Sequence, residues 1–380
     1  MKENKLDIEF KSTSIGDPDG YRDREASEET FKILVIQQKM IGDVLTSSII
    51  CENLKRNFPN AEVHYLIDRF TLPVVKENPF IDEFILFEEA YKRSKIEFYK
   101  FLKQISKSNY THVFDAYTKL ESLLISKFSK AKFKYGFEKS YSKFYYTKTV
   151  KMTNNVKTEA GSAIENRLNL LHLMSGIKTY NNKPKIYLTK KENNDALEKF
   201  KSLKINPKQC IMISAVGSGL KKSYPFNYLA EILDLIVDKT KNNLILNYMP
   251  SQQKYIDEIL NYCNQATKNR IVDHMEMKGL RDFISVCSQC RAIIGNEGGA
   301  INMAKALEIP SFAIFSPWVT KVGWNSFEKS STNDSVHLID YYPELYSKHA
   351  KKYKSKANEL YKKLKPKLFL DKLTNFLNKI

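Results

Sequence analysis

The chain has 380 residues, 42% of them hydrophobic and 12% aromatic, and carries a formal net charge of +18. That length exceeds one ordinary core and fits two domains, and no apolar run approaches the roughly 20 residues that cross a bilayer. The excess of cations favours phosphorylated substrates or anionic lipid over neutral partners, and with no zinc-finger, helix-turn-helix or RNP-type signature the reading excludes nucleic acid.

Residues 1–30 are polar, with Gly16-Asp-Pro-Asp-Gly20 and no periodicity that could bury a face, so a loosely ordered arm is expected there. Residues 31–185 then alternate strand-like and helix-like segments, the pattern of a doubly wound α/β domain. Strands are expected at 33–37, 62–67, 83–87 and 111–115, and helices at 43–58, 72–78, 91–107 and 120–130. The unbroken apolar run from Ile33 to Ile36 suits a strand covered on both faces, as in parallel sheets. A linker is expected around Pro184.

A second α/β domain is expected over 186–335, with strands at 210–216, 244–248, 291–295 and 311–316. Its helices are placed after Pro225 and at 253–263, 280–290 and 300–307. The tail over 336–380 carries Lys348, Lys351, Lys352, Lys354, Lys356, Lys362, Lys363, Lys365 and Lys367 around Leu360, Leu364, Leu368, Phe369 and Leu373. This reads as a terminal helix packed on the body, as a basic segment held to an anionic membrane surface, or as both together.

Five cysteines, at 51, 210, 263, 287 and 290, do not make a disulfide framework, and the lone Cys287-Ser-Gln-Cys290 pair lies in a helical pattern. Reduced thiols are expected, with no metal site. The first residues lack the apolar core of a secretory signal. The expected place is therefore cytoplasmic, with the tail able to lie on the inner face of the cytoplasmic membrane.

Candidate chemistry gathers where strands run into glycine-rich turns. Asp43 follows the first strand at the start of a helix, where it serves either as a helix cap or as a carboxylate in the ligand crevice of a parallel sheet. Gly295-Asn-Glu-Gly-Gly299 joins a strand to a helix whose first amides, at Gly298, Gly299 and Ala300, suit a diphosphate. Gly217-Ser-Gly219 repeats that arrangement and adds Lys221 and Lys222, either of which could neutralise a leaving phosphate.

Taken in order, these motifs resemble glycosyltransferase family 9, the ADP-heptose:lipopolysaccharide heptosyltransferases, over about residues 31–335. The resemblance is carried by Ile41-Gly-Asp-Val-Leu45, by Thr111-His-Val-Phe-Asp115 with Ser122, and by Tyr135-Gly-Phe137. It continues through Lys222-Ser-Tyr-Pro225, Gly295-Asn-Glu-Gly-Gly299 and Phe315-Ser-Pro317. It implies a GT-B fold of two facing Rossmann-like domains. The implied reaction is a metal-independent transfer, with inversion, from a nucleotide-sugar donor such as ADP-heptose to a glycolipid acceptor.

By the same resemblance Asp43 is the general base and Lys222 stabilises the leaving diphosphate. Ser218, Lys221, Gln253, Glu297, Gly298, Gly299, Ala300 and Asn302 line the donor side, and Asp115 and Ser122 the acceptor side. The chain departs from the family pattern at Glu297 and Asn302, where Asp and His are usual, at Met249-Pro-Ser-Gln-Gln253, and at Tyr117 and Glu121. These departures suggest the alternative of a catalytically silent relative that binds glycans or nucleotide sugars.

Overall fold

The computed structural model describes residues 30–328, 332–346 and 353–380. The expected arm, apart from Thr30, and tail residues Lys348, Lys351 and Lys352 lie outside the described residues. Residues Phe31–Ile380 form one compact unit built on two parallel sheets.

The first sheet comprises β1 (Lys32–Ile36), β2 (Glu62–Asp68), β3 (Glu83–Phe87), β4 (His112–Asp115), β5 (Phe133–Phe137) and β6 (Lys148–Val150), in the order β3-β2-β1-β4-β5-β6. The second comprises β7 (Cys210–Ser214), β8 (Asn243–Asn247), β9 (Ala292–Asn296), β10 (Ser311–Ile314) and β11 (Asn333–Val336), in the order β11-β10-β9-β7-β8. Five helices matter to the site and the tail: α1 (Ile41–Asn57), α2 (Ser162–Leu171), α3 (Phe226–Thr240), α4 (Gly299–Ala306) and α5 (Leu370–Lys379).

The central strands bury both faces, as their apolar runs require: Ile33 to Ile36 are wholly inaccessible, and every residue of β7 and β9 is buried. In the first sheet the winding direction reverses between β1 and β4, and Ile36 pairs with Asp115 at their carboxyl ends. In the second it reverses between β7 and β9, where Ser214 pairs with Gly295. Ligands of such sheets bind beyond the carboxyl ends at the reversal point. Asp115 ends β4, and the Asp43, Gly217–Lys222 and Glu297–Gly299 segments follow β1, β7 and β9.

Several elements depart from the sequence expectation. β5, which had no expected strand, contains the Tyr135-Gly-Phe137 motif: a side chain at Gly136 would stand 2.3 Å from the Tyr146 ring, so glycine here makes room for an aromatic neighbour. The expected helix at 72–78 is a 3-10 turn over Arg69–Val74, consistent with Pro73, which cannot donate to a helical ladder. α2 and the helix Lys190–Ser202 fall in stretches without an expected element. The joint expected at residue 185 lies in the irregular stretch 177–189 between them.

The tail packs on the second sheet's helical layer. Leu364, Phe369, Leu373 and Phe376 are buried in one core with Ile232, Leu233 and Ile236 of α3, and the Tyr224 hydroxyl donates to the Leu364 carbonyl. The apolar stripe that a membrane helix would insert is therefore spent internally. Among the described residues no helix is long and apolar enough to cross a membrane.

Candidate active site

α1 starts two residues earlier than its pattern suggested, which changes the position of Asp43. Met40 is the N-cap, and Asp43 is the third helical residue, with Oδ2 accepting the Met40 N–H at 3.3 Å. Its other oxygen, Oδ1, accepts from Nη2 of Arg167 on α2 at 2.7 Å. Arg167 is nearly enclosed, and it also donates from Nε to Ser47 Oγ and from Nη1 to the Ala163 carbonyl, each at 2.7 Å. Ser47 in turn donates to Gln37 Oε1 at 3.3 Å. Asp43 thus emerges, about a quarter exposed, from a network fixed to β1, α1 and α2.

Asp115 and Ser122, expected to face the acceptor, are completely buried. Asp115 accepts from the Tyr117 and Thr118 amides at 2.9 and 2.8 Å and from the Tyr146 hydroxyl at 2.6 Å, and burial raises its pKa. Ser122 closes on Lys119, accepting its N–H at 2.9 Å and donating to its carbonyl at 3.0 Å. Both residues shape the loop over 116–119, and neither presents a polar atom to an acceptor.

On the second side, Asn296 at the end of β9 ties the glycine-rich loop after β7 to the end of β9. Its Nδ2 donates to the Ser214 and Ala215 carbonyls at 3.0 and 2.8 Å, and its Oδ1 accepts the Tyr224 N–H at 2.7 Å. Gly295 is required beside it, because a side chain there would stand 2.5 Å from the Ser214 carbonyl oxygen. Gly298, at φ +142°, is the N-cap of α4, so Gly299 and Ala300 open the helix. Their early amides are the groups that an α-helix leaves without internal acceptors.

Lys222 reaches back to Glu297, with Nζ 3.4 Å from Oε1, and lies over the Trp318 ring at 5.3 Å. Oε1 is buried without a hydrogen-bond donor among the described residues, so the pair is an ion pair of poor alignment. Burial raises the Glu297 pKa, and the Lys222 charge opposes that rise. Lys354 from the tail lies over the same Trp318 ring at 5.1 Å, so the tail contributes to this side of the site.

Ser218 and the Lys221 side chain are exposed, while the Lys221 carbonyl accepts from Ser316 Oγ and Trp318 Nε1 at 2.8 and 2.9 Å. Gln253 is exposed and bonded to Tyr248 and Asp257. Its neighbour Gln252 anchors the glycine-rich loop by donating to the Gly217 carbonyl at 3.1 Å.

The two sides meet at their helix ends. A Cβ built on Gly42 would lie 3.1 Å from Asn302 Nδ2, and one on Gly299 would lie 3.7 Å from Ile41 Cγ2. The start of α1, which carries Asp43, therefore abuts the start of α4. Asn302 also lines a cavity of about 340 Å³ with Leu45, Thr46 and Lys305. Lys305 is half-buried there, and burial lowers its pKa to about 8.

The sequence spacing concealed one grouping of metal-ligand type. Glu62, His64 and Glu83 place a ligand atom each within 4.8 Å of one another, at the amino ends of β2 and β3 and so at the edge of the sheet opposite Asp43. The Lys32 ammonium already neutralises Glu62 at 3.0 Å, and His64 is held by Tyr110. All five cysteines are buried and unpaired.

Arg167, Asn296, Trp318 and Lys354 were not assigned roles from the sequence. Asn296 lay inside a recognised motif, whereas Arg167 belongs to a helix without a distinctive pattern.

Comparison with known proteins places these features in a family. Glycosyltransferase family 9 (heptosyltransferase) matches residues 98–354. The chain is 24% identical to lipopolysaccharide heptosyltransferase 1 of Campylobacter coli over 298 residues, covering 75% of this chain and 83% of that protein. The glycosyl transferase family 9 structure from Veillonella parvula superposes with a TM-score of 0.69 at 15% identity, covering 87% and 97% of the two chains. E. coli heptosyltransferase WaaC with ADP gives a TM-score of 0.63 at 13% identity, covering 87% and 100%. The architecture is the GT-B fold of these structures.

Proposed function

Because this chain belongs to glycosyltransferase family 9 and is a glycosyltransferase, we propose that it moves heptose or a similar sugar from a nucleotide-diphosphate donor to a lipopolysaccharide-type glycolipid, with inversion and without a metal. ADP-heptose is the reference donor, because relatives of this fold act on lipopolysaccharide or are seen with ADP.

Asp43 takes the proton of an acceptor hydroxyl as that oxygen forms its bond to the anomeric carbon, and the bond from that carbon to the diphosphate oxygen breaks. A carboxylate in this role must lie within hydrogen-bond reach of the hydroxyl. Lys222 and the amides at Gly298, Gly299 and Ala300 stabilise the charge that develops on the departing diphosphate. The observation that supports this reading is the contact of the two helix starts, in which the first turn of α1, the turn that bears Asp43, packs against the first turn of α4.

The test is transfer measured in excess EDTA with purified protein, using donors first chosen by thermal stabilisation across a panel of nucleotide sugars. Wild type transfers sugar, and Asp43→Asn lowers kcat by about 10²- to 10⁴-fold, the range of general-base catalysis, while donor-induced stabilisation persists. An unchanged rate in Asp43→Asn overturns the base assignment, and loss of wild-type transfer in EDTA overturns the metal-free step.

A further inference from the structure

Arg167 stands outside every motif of the family resemblance, yet it makes the shortest side-chain contact to Asp43. Three of its donors are fixed by three acceptors: Asp43 Oδ1, Ser47 Oγ and the Ala163 carbonyl, each at 2.7 Å. Its side chain is 6% exposed, so this geometry is enclosed by protein. Ser47, fully buried, is oriented by Gln37 at the end of β1. The guanidinium therefore carries the geometry of β1 and α2 to one oxygen of the carboxylate.

The consequence for Asp43 is an asymmetry between its two oxygens. Oδ1 is engaged by a charge-assisted bond of 2.7 Å, whereas among the described residues Oδ2 receives only the Met40 N–H at 3.3 Å. A base whose other atom is held by a third group presents its free oxygen in one orientation, the logic by which catalytic bases are aligned. Lysine does not reproduce a planar fork with three directed bonds.

We propose that Arg167 is a positioning residue that clamps Asp43 through Oδ1, so that Oδ2 faces the acceptor hydroxyl. This inference rests on Asp43 being the base. It assigns Arg167 no contact with either substrate.

The experiment compares Asp43→Asn, Arg167→Ala, Arg167→Lys and the double variant Asp43→Asn/Arg167→Ala, with the folded fraction of each measured by thermal melting. Arg167→Ala lowers kcat per folded molecule by roughly 10- to 100-fold, the cost of misplacing a reacting group, with the donor KM unchanged. Arg167→Lys recovers little of that loss, and added guanidinium restores part of the activity of Arg167→Ala but none of Asp43→Asn. The double variant is no slower than Asp43→Asn, because the two residues act as a unit.

A purely structural Arg167 would lower the melting temperature and leave kcat per folded molecule at the wild-type value without guanidinium rescue, which overturns the proposal while Asp43→Asn stays inactive. Full activity in Asp43→Asn instead overturns the base reading itself. A rise in donor KM at constant kcat also overturns the proposal, since it would place Arg167 in donor binding.

Discussion

The two crevice walls of this protein are built from different materials. The wall at the end of β1 is made of side chains: Asp43 is held by Arg167, Arg167 by Ser47, and Ser47 by Gln37. The wall at the ends of β7 and β9 is made largely of backbone, with Asn296 fixing the loops from beneath and glycines opening the helix end. A proton acceptor must hold one atom in one direction, which takes a directed network. A diphosphate spreads its charge over several oxygens, and amides on a helix terminus meet it without long side chains.

The donor wall also contains an internal anion, Glu297, that occupies its principal cation, Lys222. Asp43 on the other wall has an internal counter-ion of its own, Arg167, at 2.7 Å. On the proposed function, Asp43 keeps its Arg167 partner when substrate binds, whereas a donor diphosphate exchanges one partner of Lys222 for another.

The largest effect that would sharpen this contrast is expected at Lys222. Lys222→Met lowers kcat by about 10²- to 10³-fold, the usual cost of one electrostatic donor to a developing charge, and it also lowers the melting temperature at neutral pH, because the buried Glu297 carboxylate loses its counter-ion. Steady-state kinetics with a fixed donor measures this, and an unaltered kcat would transfer the leaving-group role to the amides alone.

Asn296→Ala comes next, as a stability effect of about 1–3 kcal/mol from buried carbonyls and an amide left unbonded. Denaturant unfolding reports it, together with a raised donor KM. A stability loss without any change in KM would break the view that this side chain shapes the donor wall.

The smallest effect is expected at Glu297, and it carries a pH signature. Its folded pKa lies above its unfolded value because of burial, so protonation at lower pH is favoured in the folded protein and removes an anion that competes for Lys222. Donor affinity therefore rises severalfold as pH falls through that folded pKa, and Glu297→Gln binds the donor more tightly at pH 8 with a flatter pH dependence. The stability sign agrees: the penalty for burying the carboxylate is absent below the unfolded pKa and in force above the folded one. Glu297→Gln is thus stabilised at high pH and unaltered at pH 4. Calorimetric titration with nucleoside diphosphate tests it, and parallel pH curves for the two proteins would show that Glu297 does not compete with the donor.

Most of the central sheet was legible in the chain itself. Unbroken apolar runs such as Ile33 to Ile36 have no stable place except a strand covered on both faces, and glycine-rich turns after such strands mark ligand-facing ends. Three strands were not legible. β6 is only three residues long, β11 is polar, and β5 hides behind a glycine whose purpose is Tyr146. The candidate site divided in the same way: Asp43, Lys222 and the α4 turn lie at the strand ends that local motifs indicated, while the motif of Asp115 and Ser122 does not reveal that their polar atoms are spent inside the loop.

The sequence alone determined the two doubly wound halves, the order of their motifs and the residue types that carry charge to the crevice, since all of these follow from periodicity and spacing along neighbouring residues. Only the tertiary structure decided that Arg167 grips Asp43 from 124 positions away, that Glu297 holds Lys222, that the tail's apolar face is buried against α3, and that α1 and α4 meet end to end. Each of these depends on which faces pack together in three dimensions, and a hydrogen bond or ion pair between distant segments leaves no pattern in either segment that could announce its partner.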